Sequence, residues 1–137
     1  MAHLLNAINK YRARISVNQS VTMRPLVDYL HNNTGVNKSM ITMILNELPD
    51  AVKHFNMQGK SVKLSGLGSY FPKINVKGRL SISHRIDKKL SGSMPHINEF
   101  KGEIKNRENI GKSLTEFMEM WDKEHPDDNI FHTLKLF

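Results

Sequence analysis

The sequence predicts an α+β fold: two N-terminal helices, then an antiparallel β-hairpin and sheet, then a short helix. Three observations carry that prediction. Apolar residues between 41 and 55 recur with the period of a helix, a Gly-X-Gly step separates two alternating segments, and a short basic stretch folds back about an Asn-to-Gly turn. The 137-residue chain holds 20 Lys and Arg against 13 Asp and Glu, a formal +7 with His neutral. Residues 1–52 carry five basic and three acidic groups, residues 53–112 thirteen and four, and residues 113–137 two and six. The basic character belongs to the middle of the chain, and the C-terminal stretch is acidic. A surplus of this size in one stretch predicts a polyanionic partner.

Composition also excludes. With Cys at zero, disulfide frameworks, thiolate metal sites and thiol catalysis drop out. No run of about 18 apolar residues exists to span a membrane. Met1 to Lys10 lacks the pattern of a secretory signal, so the reading is of a soluble intracellular protein.

The elements follow in order. Lys10 to Val17 alternates Tyr11, Ala13, Ile15 and Val17 with Arg12, Arg14 and Ser16, which predicts a half-buried strand; Asn18-Gln19-Ser20 breaks it. Thr22 is placed to cap a helix that starts at Met23, with Pro25 tolerated in its first turn. Met23, Leu26, Val27 and Leu30 share its inner face, and Gly35 suits a left-handed end. Asn37 is placed to cap a second helix over Lys38 to Met57, whose face is Ile41, Ile44, Leu45, Leu48, Val52 and Phe55. Pro49 predicts a kink near Leu45 or Leu48, and Gln58-Gly59 a stop.

Val62, Leu64 and Tyr70 then alternate with polar residues, and Gly66 and Gly68 bracket Leu67 at a sharp turn or bulge. Lys73 to Val76 and Arg79 to Ser83 form a hairpin about Asn75 to Gly78. Arg85 to Leu90 reads as a short helix, and Ser91-Gly92-Ser93 with Pro95 as a domain boundary. Phe100 to Lys105 reads as a strand and Glu108 to Lys112 as a turn. A last helix begins after Ser113, with Leu114, Phe117, Met118 and Trp121 on one face and a Ser113–Glu116 capping box. His125 to Asp128 ends it, and 129–137 reads as a loosely packed tail. The organisation expected is an N-terminal extension with one strand (1–20), a central domain (21–95) and a C-terminal extension with one helix (96–137).

This order resembles the HU and integration host factor family of bacterial architectural DNA-binding proteins. The resemblance rests on Asn37-Lys38 opening the long helix, Gly59-Lys60 closing it, and Val62-Lys63-Leu64-Ser65-Gly66-Leu67-Gly68-Ser69-Tyr70. The family pattern there is V-x-L-x-G-F-G-x-F, with Leu67 and Tyr70 replacing its two Phe. Ser83-His84-Arg85-Ile86-Asp87-Lys88-Lys89-Leu90 is similar to S-F-R-x-G-K-x-L, with Asp87 in place of Gly. Residues 21–95 carry the likeness. The stretch from Gly102 to Lys112, with Trp121 and Glu124 to Asp128, is similar to extensions on divergent HU-like proteins.

The resemblance implies an intertwined homodimer whose helices form the body and whose hairpins project. It implies a cytoplasmic, nucleoid-bound, non-enzymatic protein without cofactor, metal or small-molecule substrate. One departure matters. Family members carry long β-arms with a proline at the tip that wedges between base pairs. Here Phe71 to Ile82 is too short for such an arm, the tip has no Pro, and Pro72 sits at the base, so strong bending by tip insertion does not carry over.

The expected contact set is Lys63, Lys73, Lys77, Arg79, Arg85, Lys88 and Lys89, binding duplex DNA largely through phosphates and so without strong sequence preference. Lysines on edge strands also serve solubility. The alternative is an HU-like protein-interaction or assembly module that has lost DNA binding.

Other motifs are weaker. Gly111-Lys112-Ser113 matches the end of a phosphate-binding loop, but Asn106 stands where the first Gly is required. The seven His are scattered, and His125 with Asp127 and Asp128 reads as a polar helix end rather than a metal site. The eight Met read as core filler.

Overall fold

A computed structural model describes residues 2–17 and 19–130. The chain divides into two compact units: residues 20–100 form one, and residues 1–19 with 101–137 form the other.

The 20–100 unit begins with α2 (Met23–Thr34) and α3 (Lys38–Met57), which follow α1 (Ala2–Tyr11) and β1 (Arg14–Ile15) of the other unit in chain order. Gly35 joins them at φ +72°, and its N–H donates to the His31 carbonyl at 2.8 Å. Asn37 caps α3 by accepting from the Ser39 N–H at 2.8 Å. Thr22 stands at the cap position of α2 in extended backbone, yet its side chain makes no cap bond. Val27 of α2 and Ile41 and Val52 of α3 are the buried apolar residues of this unit. Lys38 Nζ lies 2.9 Å from Asp28 Oδ1, and its hydrogen bond holds the Asp28 carboxyl below the usual carboxylate range. α3 continues through Pro49, and Gln58 follows its end as expected.

Three strands then form an antiparallel sheet in the order β2 (Val62–Leu64), β3 (Gly68–Ile74), β4 (Leu80–Ile86). Gly66 at φ +81° turns β2 into β3. Gly68 is required for a different reason. A Cβ there would stand 2.4 Å from His84 Nε2 and 2.5 Å from the Arg85 carbonyl oxygen. Pro72 lies inside β3, but β2 reaches only to Tyr70, so beyond it β3 has an open edge where a proline nitrogen costs no ladder bond.

The β3–β4 register runs from Gly68↔Ile86 to Ile74↔Leu80. Its turn is locked by Asn75, whose Oδ1 accepts from the N–H groups of Lys77 and Arg79 at 2.9 Å each. Gly78 completes it at φ +78°. β4 extends to Ile86, so Arg85 belongs to a strand and not to the helix expected over 85–90. The alternation Leu80, Ile82, His84, Ile86 carries the strand on, and Asp87 stops it. Asp87 caps α4 (Lys88–Ser91) by accepting from the Lys89 N–H at 2.8 Å, and its other oxygen accepts from Gly66 N–H at 3.2 Å. A single 3-10 turn follows at Ile97–Glu99.

The second unit joins α1 (Ala2–Tyr11), β1 (Arg14–Ile15), β5 (Ile104–Lys105) and α5 (Leu114–Glu124). The strand expected over Lys10 to Val17 is corrected here: Lys10 and Tyr11 end a helix, and only Arg14–Ile15 is strand. Leu4, Ala7, Ile8 and Tyr11 set a helical period that takes Tyr11 first. β1 pairs antiparallel with β5 through Arg14↔Lys105 and Ile15↔Ile104, so the strand expected over Phe100 to Lys105 is likewise two residues long.

Ala7 and Tyr11 of α1 meet Phe117 and Trp121 of α5 in a buried cluster that also includes Ile130. The Ser113–Glu116 capping box forms in both directions. Its hydrogen bond from the Ser113 backbone holds the Glu116 carboxyl below the usual range. Lys10 pairs with Glu124 beside this core. Buried Asn109 donates to the Tyr11 carbonyl at 2.7 Å and accepts from Lys112 Nζ at 2.8 Å. Of the tail expected to be loosely packed, Ile130 is buried, and 131–137 lie outside the described residues, as does Asn18.

Candidate nucleic-acid interface

The register of the three-stranded sheet sorts its residues onto two faces, because alternate side chains point to opposite sides. Val62, Leu64, Tyr70, Pro72, Ile74, Leu80, Ile82, His84 and Ile86 share one face. It turns toward α3: Leu45, Leu48, Pro49 and Val52 line a cleft of about 310 Å³ with Leu64, Tyr70 and Ile82. The cations and serines occupy the other face. Lys63 pairs with Ser69 and Ser69 with Arg85, one row across all three strands. Phe71↔Ser83 and Lys73↔Ser81 form the next two rows toward the turn.

Of the seven expected contact residues, Lys63, Lys73 and Arg85 therefore share this face. Lys77 lies in the turn, Arg79 just after it, and Lys88 and Lys89 in α4. All seven are exposed, and none forms an ion pair among the described residues. The nearest carboxylate in sequence, Asp87, is spent on two backbone N–H groups. Cations not paired with a carboxylate are the ones available to phosphate oxygens. Hydroxyls at Ser69, Ser81 and Ser83 add neutral donors of the kind that bond phosphates.

The charge reading needs one correction. The surplus found over 53–112 straddles both units, because Lys101, Lys105, Arg107 and Lys112 belong to the second. Counted by unit, residues 20–100 hold eleven basic and five acidic groups, a surplus of six, and the remainder hold nine and eight.

The sheet face also holds a residue that sequence reasoning passed over. Phe71 is half-buried among the polar residues, with Arg85 Cζ and Lys73 Nζ each 5.5 Å from its ring centroid. Each such cation–π contact contributes about 0.5–1 kcal/mol at an exposed site. Phe71 is adjacent to Tyr70 in sequence, and only the register shows that the two rings face opposite ways. Tyr70 instead stacks on its cross-strand partner His84 with centroids 4.6 Å apart.

The loop-like and helix-end motifs have structural roles, whereas Met23, Met40, Met43, Met57 and Met94 are exposed and do not fill a core. Lys112 and Ser113 hold Asn109 and cap α5. His125 stacks on Trp121 at 4.0 Å between centroids. Among the described residues no group of His, Cys, Asp and Glu is placed to hold a metal, and no helix is long and apolar enough to cross a membrane.

A protein family described as an HU domain fused to wHTH, Ig or glycine-rich motif matches residues 6–112. The match extends beyond 21–95 to include most of α1 and all of β5. A search of curated proteins returned no match.

Proposed function

The chain belongs to this family of HU domains fused to a further motif, and on that premise we propose that its 20–100 unit binds duplex DNA through the cationic sheet face, the hairpin and α4. The observation that carries the proposal is the arrangement of Lys63, Lys73 and Arg85 on one sheet face, continued by Lys77, Arg79, Lys88 and Lys89, all exposed and without carboxylate partners among the described residues. Phosphates dominate such a contact, so sequence preference is weak. The role is architectural and non-enzymatic, and its setting is the nucleoid.

The unit acts as a homodimer. Tyr29, Met43 and Ile44 are 66%, 69% and 61% exposed on α2 and α3, and Ile74, Leu80 and Ile82 on the apolar sheet face are at least half exposed. A second cleft of about 530 Å³ opens between α3 and that face, lined by Met57, Pro72, Ile74, Leu80 and Ile82 among others. Exposed apolar residues in this number mark an unfinished core, and small domains complete theirs by association.

The test is a fluorescence-anisotropy titration of the full chain against a mixed-sequence duplex at several salt concentrations. Log affinity is expected to fall against log salt with a slope of about −0.9 per phosphate neutralised. Reversing charge at Arg79, Arg85 and Lys88 together is expected to abolish binding while the mass by light scattering stays that of a dimer. Salt-independent affinity, or no binding at low salt, overturns the reading. Binding that survives the triple reversal removes the hairpin mechanism, whereas no binding at low salt by an intact dimer favours the assembly-module alternative.

A further inference from the structure

We propose that Phe71 is a stacking platform for an unpaired base, so that the same sheet face takes single-stranded DNA as well as duplex. This rests on the reading above that the face binds DNA, and it deepens that reading. The core does not require a phenylalanine at this position. The apolar face of the sheet is the opposite one, built on Tyr70, Pro72 and Ile82, while Phe71 shares its face with Lys73, Ser83 and Arg85. An aromatic ring among cations and hydroxyls on an antiparallel sheet supplies the two parts that single-strand recognition needs: a π-surface for a base and a basic track for the backbone. A duplex cannot use the ring in this way, because both faces of each interior base are covered by its neighbours.

In the free protein the ring is not bare. Arg85 and Lys73 both lie 5.5 Å from its centroid. The two cations that cover it are also placed to meet phosphates. When a strand arrives, each cation exchanges a weak exposed contact with the ring for a charge-assisted bond to a phosphate, and the uncovered ring takes a base. Stacking on an aromatic side chain is the stronger of the ring's two options. Ser69, Ser81 and Ser83 flank the ring with donors for the same backbone. The contact is indifferent to base identity, because every base has a π-face.

The experiment uses the full chain, a fluorescein-labelled oligothymidylate and a mixed-sequence duplex of equal length. Phe71→Leu is expected to weaken single-strand binding about tenfold, a loss several-fold larger than any in duplex affinity. Phe71→Trp is expected to keep single-strand affinity, and its emission, taken as the difference from wild type with its one native Trp, is expected to be quenched by the oligothymidylate. Equal losses for both DNA forms in Phe71→Leu would show a ring that merely positions Arg85 and Lys73, and would overturn the inference. So would unchanged single-strand affinity in Phe71→Leu, or unquenched emission in Phe71→Trp. Wild-type binding to the duplex alone refutes the stacking site and leaves the duplex reading standing, whereas binding to neither refutes both.

Discussion

The two units bury their apolar residues in opposite ways. The smaller closes a core on itself: Ala7 is fully buried, and Tyr11, Phe117, Trp121 and Ile130 are at most 9% exposed around it. The larger has two long helices and a sheet, yet only Val27, Ile41 and Val52 are buried among its apolar residues. The two buried asparagines differ as well: Asn109 has both ends of its side chain bonded, whereas Asn56 donates to the Lys60 and Tyr70 carbonyls while its Oδ1 has no partner among the described residues. Packing quality therefore does not follow size. One unit is finished within a single chain, and the other presents the surface that the proposed dimer would cover.

The sharpest way to break this contrast is Phe117→Ala. Truncating a buried Phe costs about 3–5 kcal/mol, enough to unfold the smaller unit, with Trp121 in the same core as the optical reporter. Duplex binding by the 20–100 unit is expected to persist; its loss would show that the units do not fold independently. A smaller effect separates the units by concentration. Each tenfold rise in protein concentration is expected to stabilise the larger unit by about 1.4 kcal/mol through association, while the Trp121-reported transition stays fixed. A larger-unit transition that ignores concentration would remove the dimer.

The smallest effect is acid sensitivity. Glu124 and Glu116 in the smaller unit are held below the usual carboxylate range, by hydrogen bonds from Lys10 and from the Ser113 backbone respectively; Asp28 in the larger is held there by Lys38. A depressed carboxyl contributes stability above its unfolded value and loses it as pH falls through the folded one. Titrating from neutral to about pH 3 is expected to lower both thermal midpoints slightly, the smaller unit's more. These carboxylates are exposed, so the shifts stay small. At the other end, burial raises Tyr11 and the Glu124 contact raises Lys10. Their contribution is present at neutral pH and fades only as pH rises through their alkaline range.

Local signals were legible in the sequence and distant ones were not. The period of α3, the Asn37 cap, the Gly66–Gly68 turn and the Ser113–Glu116 box each lie within a few residues, and each formed. α1 escaped because Tyr11 opens an alternating run, and the helix is held by α5: the Tyr11 hydroxyl donates to the Met120 carbonyl, 109 positions away. Arg85 lies in β4 rather than in the helix expected over 85–90, because its pairing with Ser69 is decided by a strand 16 positions away. The seven proposed contact residues follow from charge, hairpin and helix position and the family resemblance, none of which points to Phe71. Its side of the sheet is decided by a register that depends on where Gly66 turns the chain.

The smaller unit is built from segments that precede and follow everything in the larger one, and this orders events on the ribosome. α1 is synthesised before the larger unit and then waits. A ten-residue helix is marginal alone in water, and its partner α5 emerges only after residues 20–100 have been made. The larger unit can therefore complete its helices and sheet during translation. The smaller unit closes only after the larger one, with its proposed DNA-binding face, has been synthesised in full.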